Sequence, residues 1–313
     1  MSYNIDPIPD RYRKKRAHYS GVFIVSMAFL AFIVIGLTVS LSIRACSHHK
    51  SYTQEEIQYT EPSTEPVEAR HEEATEVSIL YEMPDSVVRI CMPRPLEGVS
   101  EQIIRKSSYI VSYNKDSKTP NWVAWHLTGD HTDGPIRRMS NFYEEESVPC
   151  PRATIEDYRG SGWSRGHMCP AGDNKWSETA MYESFSLVNV CPQNASLNSG
   201  LWNRIEMDCR KWAQRYGSVY IVCGPLFYNK DHESIGVNKV VVPEAFFKVI
   251  LCLQGKPKAI GFVVKNNAGT KKKDQYVNTV DEVERLTGYD FFPSLPDSIE
   301  EKVEAYSNLD DWR

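Results

Sequence analysis

Hydrophobic positions divide the chain into stretches of different character. Ser218–Gly224 (SVYIVCG) and Phe246–Leu253 (FFKVILCL) are nearly continuous apolar runs, the pattern of strands in the core of a sheet. Tyr109–Tyr113 and Trp122–Leu127 read as two more strands. Leu197–Tyr216 has a helical period: Leu201, Ile205, Cys209 and Trp212 form an apolar stripe suited to face the core. Asn198, Trp202, Glu206 and Arg210 recur four residues apart, so Asn198, Glu206 and Arg210 should form a polar stripe pointing away from it. Ser298–Ser307 reads as a terminal helix opening after Pro296 and Asp297. Strands and helices do not alternate strictly, so the pattern predicts an α+β fold.

Ahead of this body, Gly21–Ile43 runs 23 residues without a charge. A membrane span needs about 20 apolar residues. The rival reading is a cleaved signal peptide, whose apolar core is usually about 7–15 residues; lipidation at Cys46 is a third. The flank Arg11–Arg16 (RYRKKR) is more basic than the side carrying Arg44 and Lys50, so a single-pass anchor would keep the N-terminus in the cytoplasm and the body outside, in the periplasm or beyond the cell. Signal cleavage would instead secrete the body. Ser51–Ser78 is rich in Glu, Thr, Pro and Ser and reads as a self-repelling stalk. The expected organisation is a basic tail over 1–20, an anchor over 21–43, an acidic stalk over 44–78 and a globular domain over 79–313.

Composition changes the picture mainly through its distribution. With 41% hydrophobic and 25% charged residues among 313, the chain is neither fibrous nor wholly disordered. Its net charge of −5 argues at first against a nucleic-acid partner, since phosphates are neutralised by Lys and Arg. Yet residues 51–78 alone hold eight Glu against one Arg, while residues 1–20 hold five basic and two acidic residues. The body is left at about −3, so the total says little about it. Of the eight cysteines, Cys46 lies at the membrane edge; the other seven can form disulfides in an exported domain, with at least one left over. No CxxC pair occurs, which disfavours a zinc ribbon or thioredoxin-like site. Cys223 and Cys252, in the two core strands, are either partners or small buried apolar residues. Cys46, His48 and His49 offer only an adventitious metal site. A thiol site at Cys169, and haem contact through the three Cys-Pro dipeptides, are weak patterns.

Chemistry concentrates between Asp157 and Arg210. Gly160, Gly162 and Gly166 alternate there with Arg159, Arg165 and His167. Glycines permit positive φ or close backbone approach, arginines fork onto phosphate oxygens, and histidine accepts a proton near neutral pH. The combination describes a polyanion site with a base. Taken alone, Glu206 and Arg210 would equally suit an exposed helical pair.

Ser164–His167 (SRGH), followed by NVCPQNASLNSGLWNRIE (Asn189–Glu206), resembles the DNA/RNA non-specific endonuclease family, in its endonuclease G-like branch. The hallmark there is a DRGH sequence, an N-x-x-P-Q…L-N pattern and a helix carrying Glu and Arg. Trp122–Thr128, Arg137–Phe142, Gly224–Phe227 and Val242–Val249 extend the similarity over about residues 85–300. Ser164 departs from the family's Asp at the first motif position.

The resemblance implies a ββα-metal nuclease fold, with a mostly antiparallel sheet flanked by helices. It implies metal-dependent, sequence-independent hydrolysis of DNA and RNA to 5′-phosphate and 3′-hydroxyl ends. By the same resemblance His167 is the base for water, Asn198 the direct ligand of Mg²⁺ (Mn²⁺ as substitute), and Glu206 a ligand through water. Arg165, Arg210 and Arg138 (or Arg137), with Arg159, would contact the phosphate. A homodimer is compatible with it. The alternative is a weakly active or inactive nucleic-acid-binding module on the same fold at the cell envelope, which Ser164 and the acidic body would favour.

Overall fold

Seven strands, β1 (Gln102–Arg105), β2 (Ile110–Asn114), β3 (Thr119–Thr128), β6 (Ser218–Leu226), β9 (Ala245–Cys252), β10 (Lys258–Lys265) and β11 (Val277–Asn278), form one sheet. Their order is β1-β2-β3-β6-β9-β10-β11, and every neighbouring pair is antiparallel. These are features of a computed structural model that describes residues 83–269 and 271–313. The tail, anchor and stalk expected over residues 1–78 lie outside the described residues. Among those described, no helix is long and apolar enough to cross a membrane.

The sheet is covered on both faces, which explains its unbroken apolar runs. Along β9, Phe246 and Ile250 bury on one face while Phe247, Val249 and Leu251 bury on the other. Val123, Trp125, Ile221 and Cys223 share the first face. There they meet Ile205, Cys209 and Trp212 of the longest described helix, so the predicted apolar stripe does face the core. The second face carries α1 (Asp85–Cys91), α4 (Val280–Thr287) and α5 (Asp297–Glu304), through Val88, Val283 and Val303. Two short sheets complete the fold, β4 (Ser164–His167) with β5 (Val190–Gln193), and β7 (Ser234–Ile235) with β8 (Val240–Val241). Between β4 and β5 lies α2 (Glu178–Ser184).

The four predicted strands are present with small shifts in their ends. The terminal helix closes at Glu304, three residues earlier than the pattern predicts. The long helix is not continuous. A first turn over Ala195–Leu197 widens into a π-type turn over Asn198–Trp202, with non-helical angles at Gly200, before α3 (Asn203–Tyr216) runs on. Gly217, at φ 89°, ends α3 in a conformation that side chains resist. The disulfide expectation is not met among the described residues: Cys91, Cys169, Cys191, Cys209, Cys223 and Cys252 are free, buried thiols. Cys223 and Cys252 are the small apolar residues of the second reading.

Candidate active site

β4 and β5 pair antiparallel, and the broken helix follows β5 directly, so two strands and a helix frame one site. In that pairing Gly166 lies opposite Cys191 and His167 opposite Val190. A Cβ on Gly166 would stand 2.6 Å from Gln193 Cβ and 2.8 Å from its Cδ, so the second strand comes this close only because Gly166 has no side chain. Gly160 and Gly162 serve the other glycine role, at φ 66° and 83°.

His167 is 6% exposed, and its Nε2 is buried without a hydrogen-bond partner. Phe185 stands edge-on to the imidazole at 4.9 Å, and Phe142 tilts against it at 5.0 Å. Ser177 caps α2, at whose end Phe185 sits, by accepting from Ala180 N. The segment after His167 is clamped by Asn189. Its side chain accepts from Cys169 N (2.8 Å) and donates to Cys169 O and Ser184 O (2.8 Å each). Desolvation first, then Arg138 and Arg165, lower the His167 pKa to about 3, so the imidazole is neutral at physiological pH.

Two arginines, Arg165 and Arg138, act on this imidazole, and a third, Arg210, lies in the adjoining charged region. Arg165 lies 4.5 Å over the Phe142 ring and Arg138 lies 5.3 Å over the Phe185 ring. Arg210 donates to Asp173 Oδ1 at 2.8 Å, and Asp173, itself 3% exposed, also accepts from Trp125 Nε1 at 3.1 Å. A Cβ on Gly172 would meet the Arg210 guanidinium at 2.8 Å, so this glycine makes room for it. The charge of Arg138 reaches both His167 and Glu206, which ties the hairpin to α3.

The polar stripe of the long helix does not point away from the core. Trp202 is fully buried, and Glu206 and Arg210 look into a charged seam beneath the hairpin. Lys248 belongs to that seam. It is fully buried on β9, 4.8 Å from the Trp125 ring and 4.5 Å from the Trp202 ring. Burial first, with Asp173 adding to it, raises the Glu206 carboxyl to about 7 against the opposing pull of Lys248, Arg210 and Arg138.

Asn198 sits in the π-type turn, one turn after an anchored start. The Asn194 side chain accepts from Ser196 N and Leu197 N, and Asn194 N donates to Asn266 Oδ1 at 2.8 Å. The Asn198 amide side chain is partly exposed and makes no hydrogen bond with described residues.

Thus His167, Arg165, Arg138, Glu206 and Arg210 converge on one charged region. Arg159 does not: it is exposed and pairs with Glu156 at 3.0 Å. Cys169 is no thiol site, because burial holds its thiol far above the usual range. Asn189, Asp173 and Lys248 were not singled out by sequence. Asn189 opens the very stretch that carries the resemblance, and Lys248 is a charge inside an apolar run. Asp173, in Ala-Gly-Asp, carried no readable signal.

Comparison with known proteins identifies the family. The sequence model of the DNA/RNA non-specific endonuclease family matches residues 91–298. Nuclease EXOG, mitochondrial, of Mus musculus is 39% identical over 219 residues, 64% of this chain and 59% of that protein. Nuclease C1 of Cunninghamella echinulata is 35% identical over 216 residues, 63% of this chain and 85% of that one. Among solved structures, the EndoG/EndoGI complex, determined for the mechanism of EndoG inhibition, aligns with TM-score 0.61 and 29% identity. The alignment covers 65% of this chain and 90% of the other.

Proposed function

Because this chain belongs to the DNA/RNA non-specific endonuclease family, we propose that it hydrolyses phosphodiester bonds of DNA and RNA without regard to base sequence. One observation carries the reading: a buried, neutral imidazole with no hydrogen-bond partner, flanked by two guanidinium groups. A neutral His167 can take the proton of an attacking water, whose oxygen bonds to phosphorus as the bond to the 3′-oxygen breaks. The products are a 5′-phosphate and a 3′-hydroxyl. Arg165 and Arg138 hold phosphate oxygens beside the base. Arg210, fixed by Asp173, holds the phosphate from the helix side. All these contacts are to the backbone, which carries no direct sequence information.

The donor set fits a hard divalent cation such as Mg²⁺. The Asn198 amide is unengaged among the described residues, and the Glu206 carboxylate lies about two helical turns on, suited to hold the ion's waters. Mn²⁺ suits the same donors. When bound, the ion supplies charge neutralisation at phosphate and at the leaving oxygen. This is the reading of β4, β5 and the following helix as a ββα-metal unit.

The test is nicking of supercoiled plasmid and cleavage of RNA by the full-length protein with Mg²⁺, beside His167→Ala. A loss of about 10²–10⁴-fold is expected, the usual size of a general-base contribution; equal rates would end the reading. Binding that persists with no cleavage under any metal would favour the inactive module instead.

We propose further that residues 21–43 anchor the chain in a membrane with the nuclease domain outside the cytoplasm, on the strength of the uncharged run and its basic flank. Protease applied outside the cytoplasmic membrane, to intact cells or to cells with a permeabilised outer envelope, should then remove the domain and leave the N-terminal tail protected.

A further inference from the structure

On the sheet face opposite the hairpin, α4 and α5 pack together against β10. Val280, Val283 and Val303 close the apolar seam between them. Beside that seam Asp281 and Glu284 of α4 and Glu304 of α5 each bring one carboxylate oxygen within 4.8 Å of the others. Glu304 is only 6% exposed, and its Oε1 is buried without a hydrogen-bond partner. Glu284 Oε1 accepts one hydrogen bond, from Phe291 N at 2.7 Å. Asp281 is exposed and opens the cluster to water. Asp290 and Glu300 add negative charge around Glu304. The Arg94 guanidinium nearby pairs with Asp290 at 3.2 Å.

Three carboxylates do not share such a space without compensation, and one of them is a buried acceptor with nothing to accept. We propose that Asp281, Glu284 and Glu304 form a calcium site that clips α4 to α5. The donor set selects the ion. Calcium takes about six to eight oxygens, carboxylates among them, at about 2.3–2.6 Å in a flexible shell, whereas magnesium, at about 2.0–2.1 Å, keeps several waters and binds through about one or two carboxylates. Oxygens within 4.8 Å of one another fit inside a calcium shell, whose opposite ligands stand about 5 Å apart. The exposed Asp281 side leaves room for the waters that complete a calcium shell. The site is remote from His167 and independent of the nuclease reading, and stability, not cleavage, reports on it.

The experiment uses the full-length protein in mild detergent, carrying Asn198→Ala so that the candidate catalytic cation ligand is removed. Calcium chloride is titrated calorimetrically at pH 7, and Tm is followed with and without 10 mM calcium. The expected result is one site with Kd on the order of 10⁻⁴–10⁻³ M. Tm should rise roughly 3–8 °C. Magnesium at equal concentration should give a smaller rise. Glu304→Gln should abolish the calcium response, and Asp281→Asn, at an exposed position that cannot disturb the core, should weaken it at least tenfold. No calcium response, a response kept in both variants, or an equal response to magnesium would each overturn the proposal.

Discussion

Gly166→Ala tests whether the hairpin geometry sets the position of the base. The new Cβ would stand 2.6 Å from Gln193 Cβ and 2.8 Å from its Cδ. Carbon atoms in contact prefer about 3.5–4.0 Å, so one partner must move by about 1 Å. Gln193 cannot swing aside into solvent, because it is fully buried on β5 between the hairpin and the turn that leads to Asn198. The displacement therefore falls on β4, whose next residue is His167. Overpacking of this kind costs about 1–3 kcal/mol. At roughly 2–4 °C per kcal/mol for a domain of this size, Tm should drop by roughly 2–12 °C. The loss of cleavage should be larger in proportion, since a misplacement of about 1 Å can cost on the order of 10²-fold. Plasmid-nicking rates with Mg²⁺ at 25 °C, where the variant remains folded, separate the two effects. Adding Gln193→Gly, which removes both the Cβ and the Cδ that the new methyl would meet, should restore space, and with it part of the rate. A Gly166→Ala protein with unchanged rate and Tm would refute the argument that close approach fixes His167.

Three further outcomes follow from the same geometry. Asp173→Asn leaves the Arg210 guanidinium without its buried carboxylate, so thermal or denaturant unfolding should show a loss of about 3 kcal/mol, together with weaker cleavage. Arg159→Ala should leave both rate and stability within about 0.5 kcal/mol of wild type, because its partner Glu156 is a surface one, whereas Arg165→Ala should slow nicking strongly. Acid should act through the buried histidines. His167 and His126 are lowered by burial to about 3 and about 4 from an unfolded value of about 6.5, so below pH 6.5 the unfolded chain binds more protons and stability falls as pH drops toward 4. The raised carboxyls of Glu206, Glu284 and Glu304 act oppositely across the same window, being stabilising when protonated. The measurement is thus a difference: in metal-free buffer, the Tm of His167→Gln should fall less steeply with acid than that of wild type.

The parts of the fold legible in sequence are those where one local signal suffices. The paired apolar runs of β6 and β9 announce strands buried on both faces, and the Leu201–Trp212 stripe announces the core side of α3. The edge strands β1 and β11 carry no such run, because an edge of four or two residues needs none. The break at Gly200 was invisible because four-residue spacing looks the same on either side of a π-type turn. The polar stripe failed for a different reason. Periodicity says which residues share a face but not what that face meets, and here Lys248 and Asp173, 42 residues after Glu206 and 33 before it, turn a surface-like stripe into a buried seam. Likewise Arg159 shares a glycine-rich stretch with Arg165 but lies on the far side of Gly160 and Gly162, whose positive φ values redirect the chain between them.

The charge of −5 and the site can now be reconciled. The body carries a net charge near −3, yet the four cations of the charged region at and beneath the hairpin are each held in place by a neighbour. Arg165 lies over Phe142, Arg138 over Phe185, Arg210 against Asp173, and Lys248 between Trp125 and Trp202. Fixed charges in a partly desolvated pocket act more strongly than the same number spread over a surface. The same field has a second effect. Burial first, with Arg138 and Arg165 adding to it by opposing a further positive charge, keeps His167 unprotonated. On the proposed reading, a phosphodiester seated between those guanidiniums would cancel part of that field at the imidazole and raise its proton affinity. The proposed base would then be weakest when there is nothing to cleave and strengthen on binding. Affinity and basicity share one cause in this arrangement, which a basic coat over the whole domain could not provide.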